Sequence, residues 1–326
     1  MRSRICRNGI IVVAVALSLM GVRVRAAEFP ERPIQVLVGW PVGSQNDGID
    51  RVIAQSLQKI LKQPLIIQNV PGGGGALVLG RIKTEKPDGY TIFQTGTYMY
   101  SQTPHMRSVP FDPLNDFAYL AQHARFQHGL EDRPDSPWKN FEELIQYVKK
   151  NPKKVKYSSS GVGAAPHLMM EYLAMRENLQ WIHVPYQSAS EAFSALLGGH
   201  VDLGPGSMGM EVEQIHAGKL RLLLGLNEKR VSTFPDVPTI IEKGYDFAIG
   251  GGACWSVPVN TPKDIQQKLE KALLQSFKEP AVLEIINKWN MAYEPVDGKK
   301  VYEMIALDNR VFGEFARKLG IGIYKK

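Results

Sequence analysis

The sequence predicts an α/β protein built of two doubly wound lobes, with a ligand cleft between them. Three observations predict this fold. Short apolar runs alternate with amphipathic helical segments, the alternation occurs in two successive sets, and a Pro-rich joint at 132–137 separates the sets. Because open α/β sheets bind ligands beyond the carboxyl ends of their strands, two such lobes create a cleft where those ends meet.

The first set is predicted from apolar runs, helical periodicity and turn residues. Apolar residues recur at helical spacing from Ile49 to Leu61, and Pro64 ends that helix. A strand–helix–strand–helix–strand order in so short a segment predicts a parallel, helix-covered sheet. The predicted elements are a strand at 34–38, a loop at 39–46, a helix from Asp47, a strand at 65–68, a Gly-rich turn at 71–75, a helix from Ala76 and a strand at 90–94.

The second set repeats the alternation, and a helical tail follows it. The helix after the loop at 158–167 has Leu168, Tyr172 and Met175 on its inner face. In the tail, apolar residues from Ile265 to Phe277 form one stripe. The predicted elements are a helix at 141–150, strands at 155–158, 181–184, 201–203 and 220–224, helices from 168, at 190–197 and at 210–217, and the tail from Pro262.

The first 26 residues predict a signal peptide that is cleaved after about Ala26. Three arginines precede an uncharged apolar run of 14 residues at 9–22, whereas a membrane span needs about 20 residues. Val24 and Ala26 are small residues at positions that suit cleavage. The alternative is an uncleaved membrane anchor. Because the run is short and a cleavage site follows it, we expect an exported protein.

Charge and cysteine content argue against a nucleic-acid-binding protein and against a protein held together by disulfides. Residues 1–26 hold five of the 39 Lys and Arg and no acid, so the remainder has 34 basic and 32 acidic residues, a net charge of +2. That balance gives no indication of nucleic-acid binding. Beyond Cys6 in the leader only Cys254 remains, so no intramolecular disulfide is possible, and we expect Cys254 to act as a small buried apolar residue.

Enzymatic motifs are weak throughout the chain. Pro205 occupies the position where a nucleophile elbow around Ser207 would need glycine. The seven histidines are spread singly, so no metal site is predicted. The glycines at 72–75 resemble a phosphate loop, but no Gly-Lys-Ser/Thr follows them. We predict a protein that is not an enzyme and has no cofactor; an exported hydrolase is the remaining alternative.

The segment at 156–168 is the most informative part of the chain. A short strand leads into Ser158, Ser159 and Ser160, then into small residues that open a helix. Hydroxyl groups, backbone without side chains and a helix N-terminus together suit an anion. Helix capping by the serines is the alternative reading. For His167, satisfaction by the local backbone is favoured over ligand contact, and for Asp47 a role in fixing its loop is favoured.

Eight landmarks in order make the chain similar to the Bug family, the solute-binding receptors of tripartite tricarboxylate transporters. They lie at 29–34, 68–75, 87–91, 157–161 with 167–168, 183–188, 196–203, 217–221 and 234–239. The resemblance implies a monomeric periplasmic receptor of the type II binding-protein kind. Its lobe 1 would comprise 27–127 and 253–326, and its lobe 2 would comprise 128–252.

The resemblance also implies a small organic acid as ligand, held by backbone N–H groups and ordered water, and a two-subunit membrane permease as partner. A carboxylate sensor for a signalling partner is the alternative that the sequence leaves open. The candidate ligand-binding residues are Trp40, Val42, Gly43, Ser44, Gln45, Asn46, Asp47, Thr97, Tyr98, Ser158, Ser159, Ser160, Gly161, Ala164, Ala165, His167, Tyr186 and Ser207.

The chain departs from the family pattern in the first loop. A glycine pair usually precedes Asp47, but here only Gly43 is kept and bulkier polar residues follow it. Trp40 replaces another aromatic, and Ala164 and Ala165 stand where hydroxyl-bearing residues are frequent. These changes favour a more apolar cleft and therefore an aromatic or longer aliphatic carboxylate. A dicarboxylate is a further option that the sequence leaves open. For Trp40, packing in the lobe core is the alternative to lining the cleft.

Overall fold

A computed structural model describes residues 29–325, so the predicted signal peptide lies outside the described residues. The strands are β1 (Ile34–Val38), β2 (Leu65–Asn69), β3 (Thr91–Gly96), β4 (Phe117–Arg125), β5 (His128–Asp132), β6 (Lys156–Ser159), β7 (Ile182–Pro185), β8 (Leu203–Ser207), β9 (Arg221–Gly225), β10 (Gly252–Pro258) and β11 (Ala292–Asp297). The helices are α1 (Gln45–Leu61), α2 (Ala76–Gly80), α3 (Thr97–Ser101), α4 (Thr103–Met106), α5 (Phe141–Lys150), α6 (Ala165–Glu177), α7 (Ala189–Leu197), α8 (Met208–His216), α9 (Lys263–Ser276), α10 (Pro280–Lys288) and α11 (Gly298–Leu319).

The strands form two mixed sheets, one in each lobe. The first has the order β11-β4-β10-β3-β1-β2, and the second has the order β7-β6-β8-β5-β9. The first sheet therefore draws on 34–125 and 252–297, and the second on 128–225. The two-lobed α/β class is thus confirmed, while the predicted lobe boundaries themselves stay a prediction.

The first sheet is parallel only in the part that the sequence predicted. β1 pairs in parallel with β2 and β3, as strand–helix–strand units require. β10 instead lies antiparallel between β3 and β4, and β11 lies antiparallel to β4. The expectation of a wholly parallel sheet fails because two strands from the end of the chain return to this sheet.

The second sheet includes β5, which was not predicted, and its strand β8 runs further than predicted. β8 continues from Leu203 through Gly204, Pro205 and Gly206, residues that are depleted in strands. β6 is parallel to β7 and β8, whereas β5 runs antiparallel to β8 and β9. The carboxyl ends of β6 and β8 consequently open onto the same edge.

The last long helix packs against both lobes. It contacts β4 and α3 in the first lobe. Its later residues Phe312, Phe315 and Ala316 join the core of the second lobe, which also contains Trp138 and Tyr157. Within residues 29–325 no helix is long and apolar enough to cross a bilayer.

Two expectations about packing are met by α9 and β10. Leu269, Ala272 and Leu273 of α9 and Phe277 directly after it are buried along the predicted stripe. Cys254 is fully buried in β10, and burial raises the pKa of its thiol above the ordinary value. This thiol therefore behaves as the small apolar residue that the sequence indicated.

Candidate functional site

A cavity of about 440 Å³ lies where the carboxyl ends of strands from both sheets face each other. The loop after β1 and Tyr98 after β3 contribute one side. The loop after β6 and the segment around the end of β8 contribute the other side. The site therefore occupies the position that open α/β sheets favour for ligands.

Four helices begin at this cavity. Residues in the first turns of α1, α6, α7 and α8 line it. A helix N-terminus presents unpaired N–H groups and a partial positive charge of about half a unit. Among the described residues that line the cavity there is no Lys or Arg. An anion bound here would therefore be held by backbone dipoles and neutral side chains.

The first loop is fixed by Asp47, which is buried and lies outside the cavity lining. Its carboxylate accepts hydrogen bonds from the Gly43 N–H and the Asn69 amide, both at 2.8 Å, and pairs with Arg51. Burial alone would raise the pKa of Asp47, but the hydrogen bonds from Arg51, Asn69 and Gly43 hold that pKa below its ordinary value. Ser44 caps α1 by accepting the Asp47 N–H. Asp47 thus stabilises the loop as a charged acceptor.

The second loop is held by a network beneath its surface. The Gly163 N–H donates to Nδ1 of His167 at 3.1 Å. The His167 ring stacks on His183 at 4.1 Å between centroids, and Nε2 of His183 lies 2.7 Å from Oγ of Ser159. Ser159 Oγ also donates to the Gly161 carbonyl. These contacts shape the loop from behind, away from the cavity.

Burial keeps both histidines of this network neutral. Burial lowers the pKa of His167 to about 4, and burial together with the neighbouring His167 lowers the pKa of His183 to about 4. A Ser–His contact can pair a nucleophile with its base, but here Ser159 Oγ donates its one proton to the Gly161 carbonyl, so Nε2 of His183 is the donor to Ser159. Neither residue lines the cavity, and Ser159 is only 1% exposed, so this pair does not reach a ligand there.

Aromatic rings form one wall of the cavity. Trp40, Tyr98 and Phe126 lie with centroids 6.0–6.3 Å apart in tilted and edge-on arrangements. The indole Nε1 of Trp40 donates to Oε1 of Gln94 at 2.8 Å, so its polar atom is satisfied inside the lobe. Trp40 therefore packs in the lobe and lines the cavity at once. Such a wall suits an apolar ligand body.

Two buried carboxyl groups also line the cavity. Glu131 lies on β5 and Glu211 in the first turn of α8, and they are 1% and 5% exposed. Burial, and next the nearby Glu211, raise the pKa of Glu131 well above its ordinary value. Burial raises the pKa of Glu211 to about 7, even though its carboxylate accepts the Met210 N–H. Sequence reasoning missed both residues.

The structure brings many of the predicted site residues to the cavity and leaves others behind it. Val42 is 74% exposed on the outer side of its loop. Thr97 accepts the Gly252 N–H, and the Tyr186 N–H donates to the Ser159 carbonyl. The predicted residues that line the cavity are Trp40, Gly43, Ser44, Gln45, Asn46, Tyr98, Ser158, Ser160, Ala164, Ala165 and Ser207. Those that do not are Val42, Asp47, Thr97, Ser159, Gly161, His167 and Tyr186.

Comparison with known proteins assigns the chain to a family. The sequence profile described as "Tripartite tricarboxylate transporter family receptor" matches residues 49–321. The chain belongs to this family. A relative from Cupriavidus necator, "UPF0065 protein in gbd 5'region", is 37% identical over 292 residues, which cover 89% of each chain. The resemblance found in the sequence is therefore confirmed.

Solved structures agree with this assignment. A TctC solute-binding protein from Polaromonas, solved without ligand, is 28% identical, has a TM-score of 0.78 and covers 89% of this chain and 99% of its own. The periplasmic binding protein BugD is also 28% identical, with a TM-score of 0.76, and covers 90% of this chain and 99% of its own. The protein is a solute-binding receptor of the TctC, or Bug, family.

Proposed function

We propose that the receptor is exported to the periplasm, captures a small organic acid in the cavity between its lobes and delivers it to a two-subunit membrane permease. The observation that carries the proposal is the convergence of four helix N-termini on one cavity without a lining Lys or Arg. This arrangement suits reversible capture of a carboxylate, because backbone N–H groups solvate the charge without a fixed counterion.

Contacts between the lobes support capture by closure of the cleft. The side chain of Gln45 in the first lobe lies directly against Gly209 in the second, because a methyl group built on Gly209 would overlap its amide oxygen. Met106 lies in the same way against Gly163 of the second loop, 2.7 Å from where a methyl group would stand. A ligand that contacts both sides of the cavity would favour this closed arrangement over an open one.

A ligand screen with the chain from residue 27 tests the proposal. Monocarboxylates, dicarboxylates, tricarboxylates and aromatic acids are added in thermal-shift assays, and hits are measured by calorimetry. A ligand that binds only the native state raises the free energy of unfolding, by about 2.7 kcal/mol when its concentration is a hundredfold above Kd. The melting temperature rises with it. Small-angle scattering then compares the compactness of free and bound protein. Stabilisation by a sugar or a cation, but by no organic acid, would refute the proposal.

A further inference from the structure

The carboxyl group of Glu131 is buried without a partner. Within residues 29–325 neither of its oxygens has a hydrogen-bond partner in another residue, and Glu131 is 1% exposed and lines the cavity. Buried polar groups in native proteins are nearly always hydrogen-bonded, so such a group calls for an explanation. Because Glu131 lies at a ligand cavity, a bound ligand would supply the missing hydrogen-bond donor.

Glycines leave room for this group at the cavity floor. A methyl group built on Gly206 would lie 3.0 Å from Oε1 of Glu211 and 3.7 Å from Oε2 of Glu131. A methyl group built on Gly129 would overlap Oε1 of Glu131. The two carboxyl groups therefore face the same small space above Gly206, one from β5 and one from α8. A single ligand atom placed there would be close to both.

No Lys or Arg among the described residues that line the cavity pairs with these acids. The titratable side chains that line the cavity are Tyr98, His128, Glu131 and Glu211, and none of these carries a fixed positive charge. Burial raises the pKa of both acids, as expected where no full positive charge pairs with them. A ligand with a protonated amine would supply both the missing donors and the missing charge, since charged hydrogen bonds are the strong ones.

We propose that the ligand is an organic acid that also carries an ammonium group, received by Glu131 and Glu211 above Gly206. This inference rests on the proposed function, because the carboxylate of the same ligand is held at the helix N-termini. The aromatic wall of Trp40, Tyr98 and Phe126 covers the apolar body between the two charged ends. An ω-amino acid such as 5-aminopentanoate has this distribution of groups.

Calorimetry with matched acids tests the proposal on the chain from residue 27. The pairs differ by one amine: 3-phenylpropanoate and phenylalanine, pentanoate and 5-aminopentanoate, succinate and aspartate. In at least one pair the amine-bearing acid binds about tenfold more tightly, the size expected for a charged hydrogen bond. Glu131→Gln removes that preference, so the amine-bearing acid loses about tenfold while its partner keeps or gains affinity. Glu213→Gln, an exposed acid on the same helix α8, leaves both affinities unchanged.

The other outcomes separate this inference from the proposed function. If the plain acids bind and their amine-bearing partners bind no better, the ammonium site is refuted and the proposed function stands. An equal loss for both members of a pair in Glu131→Gln assigns Glu131 a structural role and also refutes the site. If no acid of either kind binds, both proposals fall. Melting temperatures of the variants show that each is folded.

Discussion

The side-chain amide of Asn69 donates a hydrogen bond to the carboxylate of Asp47 at 2.8 Å and a second one to the Trp40 carbonyl at 2.9 Å. The end of β2 is thereby tied to both ends of the first cavity loop. Asp47→Ala removes the acceptor of the Gly43 N–H and one of the two acceptors of the Asn69 amide. We expect a loss of about 1–3 kcal/mol in the free energy of unfolding and about tenfold weaker ligand binding by calorimetry, roughly a 1.4 kcal/mol loss.

A matched control for this variant is Asp264→Ala. Asp264 is also an acid in the first turn of a helix, α9, but it is exposed and does not line the cavity. Asp264→Ala should lower the free energy of unfolding by only a few tenths of a kcal/mol, because exposed acids at helix starts contribute about that much. Wild-type affinity in Asp47→Ala would show that the loop keeps its shape without this network.

Trp40 and Gln94 form a buried polar pair in the same lobe. Trp40→Phe keeps an aromatic ring at the cavity but leaves Oε1 of Gln94 without its donor. We expect a loss of about 1–3 kcal/mol in the free energy of unfolding, because a buried acceptor is left unsatisfied. The double variant Trp40→Phe/Gln94→Leu removes both partners and should recover part of that loss in denaturant unfolding. A double variant as unstable as the sum of the single changes would show that packing, not the hydrogen bond, dominates.

The sequence predicted the elements whose signals are local. β1 and α5 lie at the predicted bounds, because a five-residue apolar run and a capped amphipathic segment determine them without help from the rest of the chain. β10 and β11 were not predicted. They pair with strands distant in sequence, and their place in the sheet depends on those partners.

The candidate site, too, was predicted only where its signals are local. The two loops could be located from the resemblance and from the strand ends, but not the direction of each side chain. Asp47 points into the hydrogen-bond network, while Val42, five residues earlier, points to solvent. Glu131 and Glu211 were missed because β5 and α8 bring them together only in the folded chain. An acid between apolar residues, as in Met210-Glu211-Val212, was the one available signal.

Gly209 sets how closely the lobes approach at Gln45. Gly209→Ala places a methyl group where the Gln45 amide lies. Within α8, alanine is intrinsically better than glycine by up to about 1 kcal/mol, so the melting temperature should not fall. We expect ligand binding to weaken about tenfold, roughly a 1.4 kcal/mol loss, and compaction on ligand addition to be smaller in scattering.

Gly48→Ala makes the same exchange in α1, where a methyl group would meet no atom within 4 Å. This control should raise stability slightly and leave affinity and compaction unchanged. If Gly209→Ala binds ligand like Gly48→Ala, the contact between Gln45 and Gly209 has no part in closure.

Glu211 makes the stability of the free receptor depend on pH. Its pKa in the folded protein is about 7, above the ordinary value of 4.5, because burial disfavours the charged form. Between these two values the folded state holds more protons than the unfolded state, so stability falls as pH rises through that interval. Glu211→Gln stays neutral and escapes this loss. Its free energy of unfolding should therefore match that of wild type near pH 4.5 and exceed it increasingly up to pH 7, by on the order of a few kcal/mol. Melting temperatures measured across this pH range should show the same trend.

The exposed Glu213 is the control for this titration, since Glu213→Gln should follow the wild-type curve at every pH. Because Glu131 also titrates with a raised pKa beside Glu211, part of the pH dependence belongs to the pair and persists in Glu211→Gln. The combined variant Glu131→Gln/Glu211→Gln should remove that remainder. A difference between Glu211→Gln and wild type that is constant with pH would mean that Glu211 is already ionised in the folded protein at low pH, with its charge balanced inside the cavity.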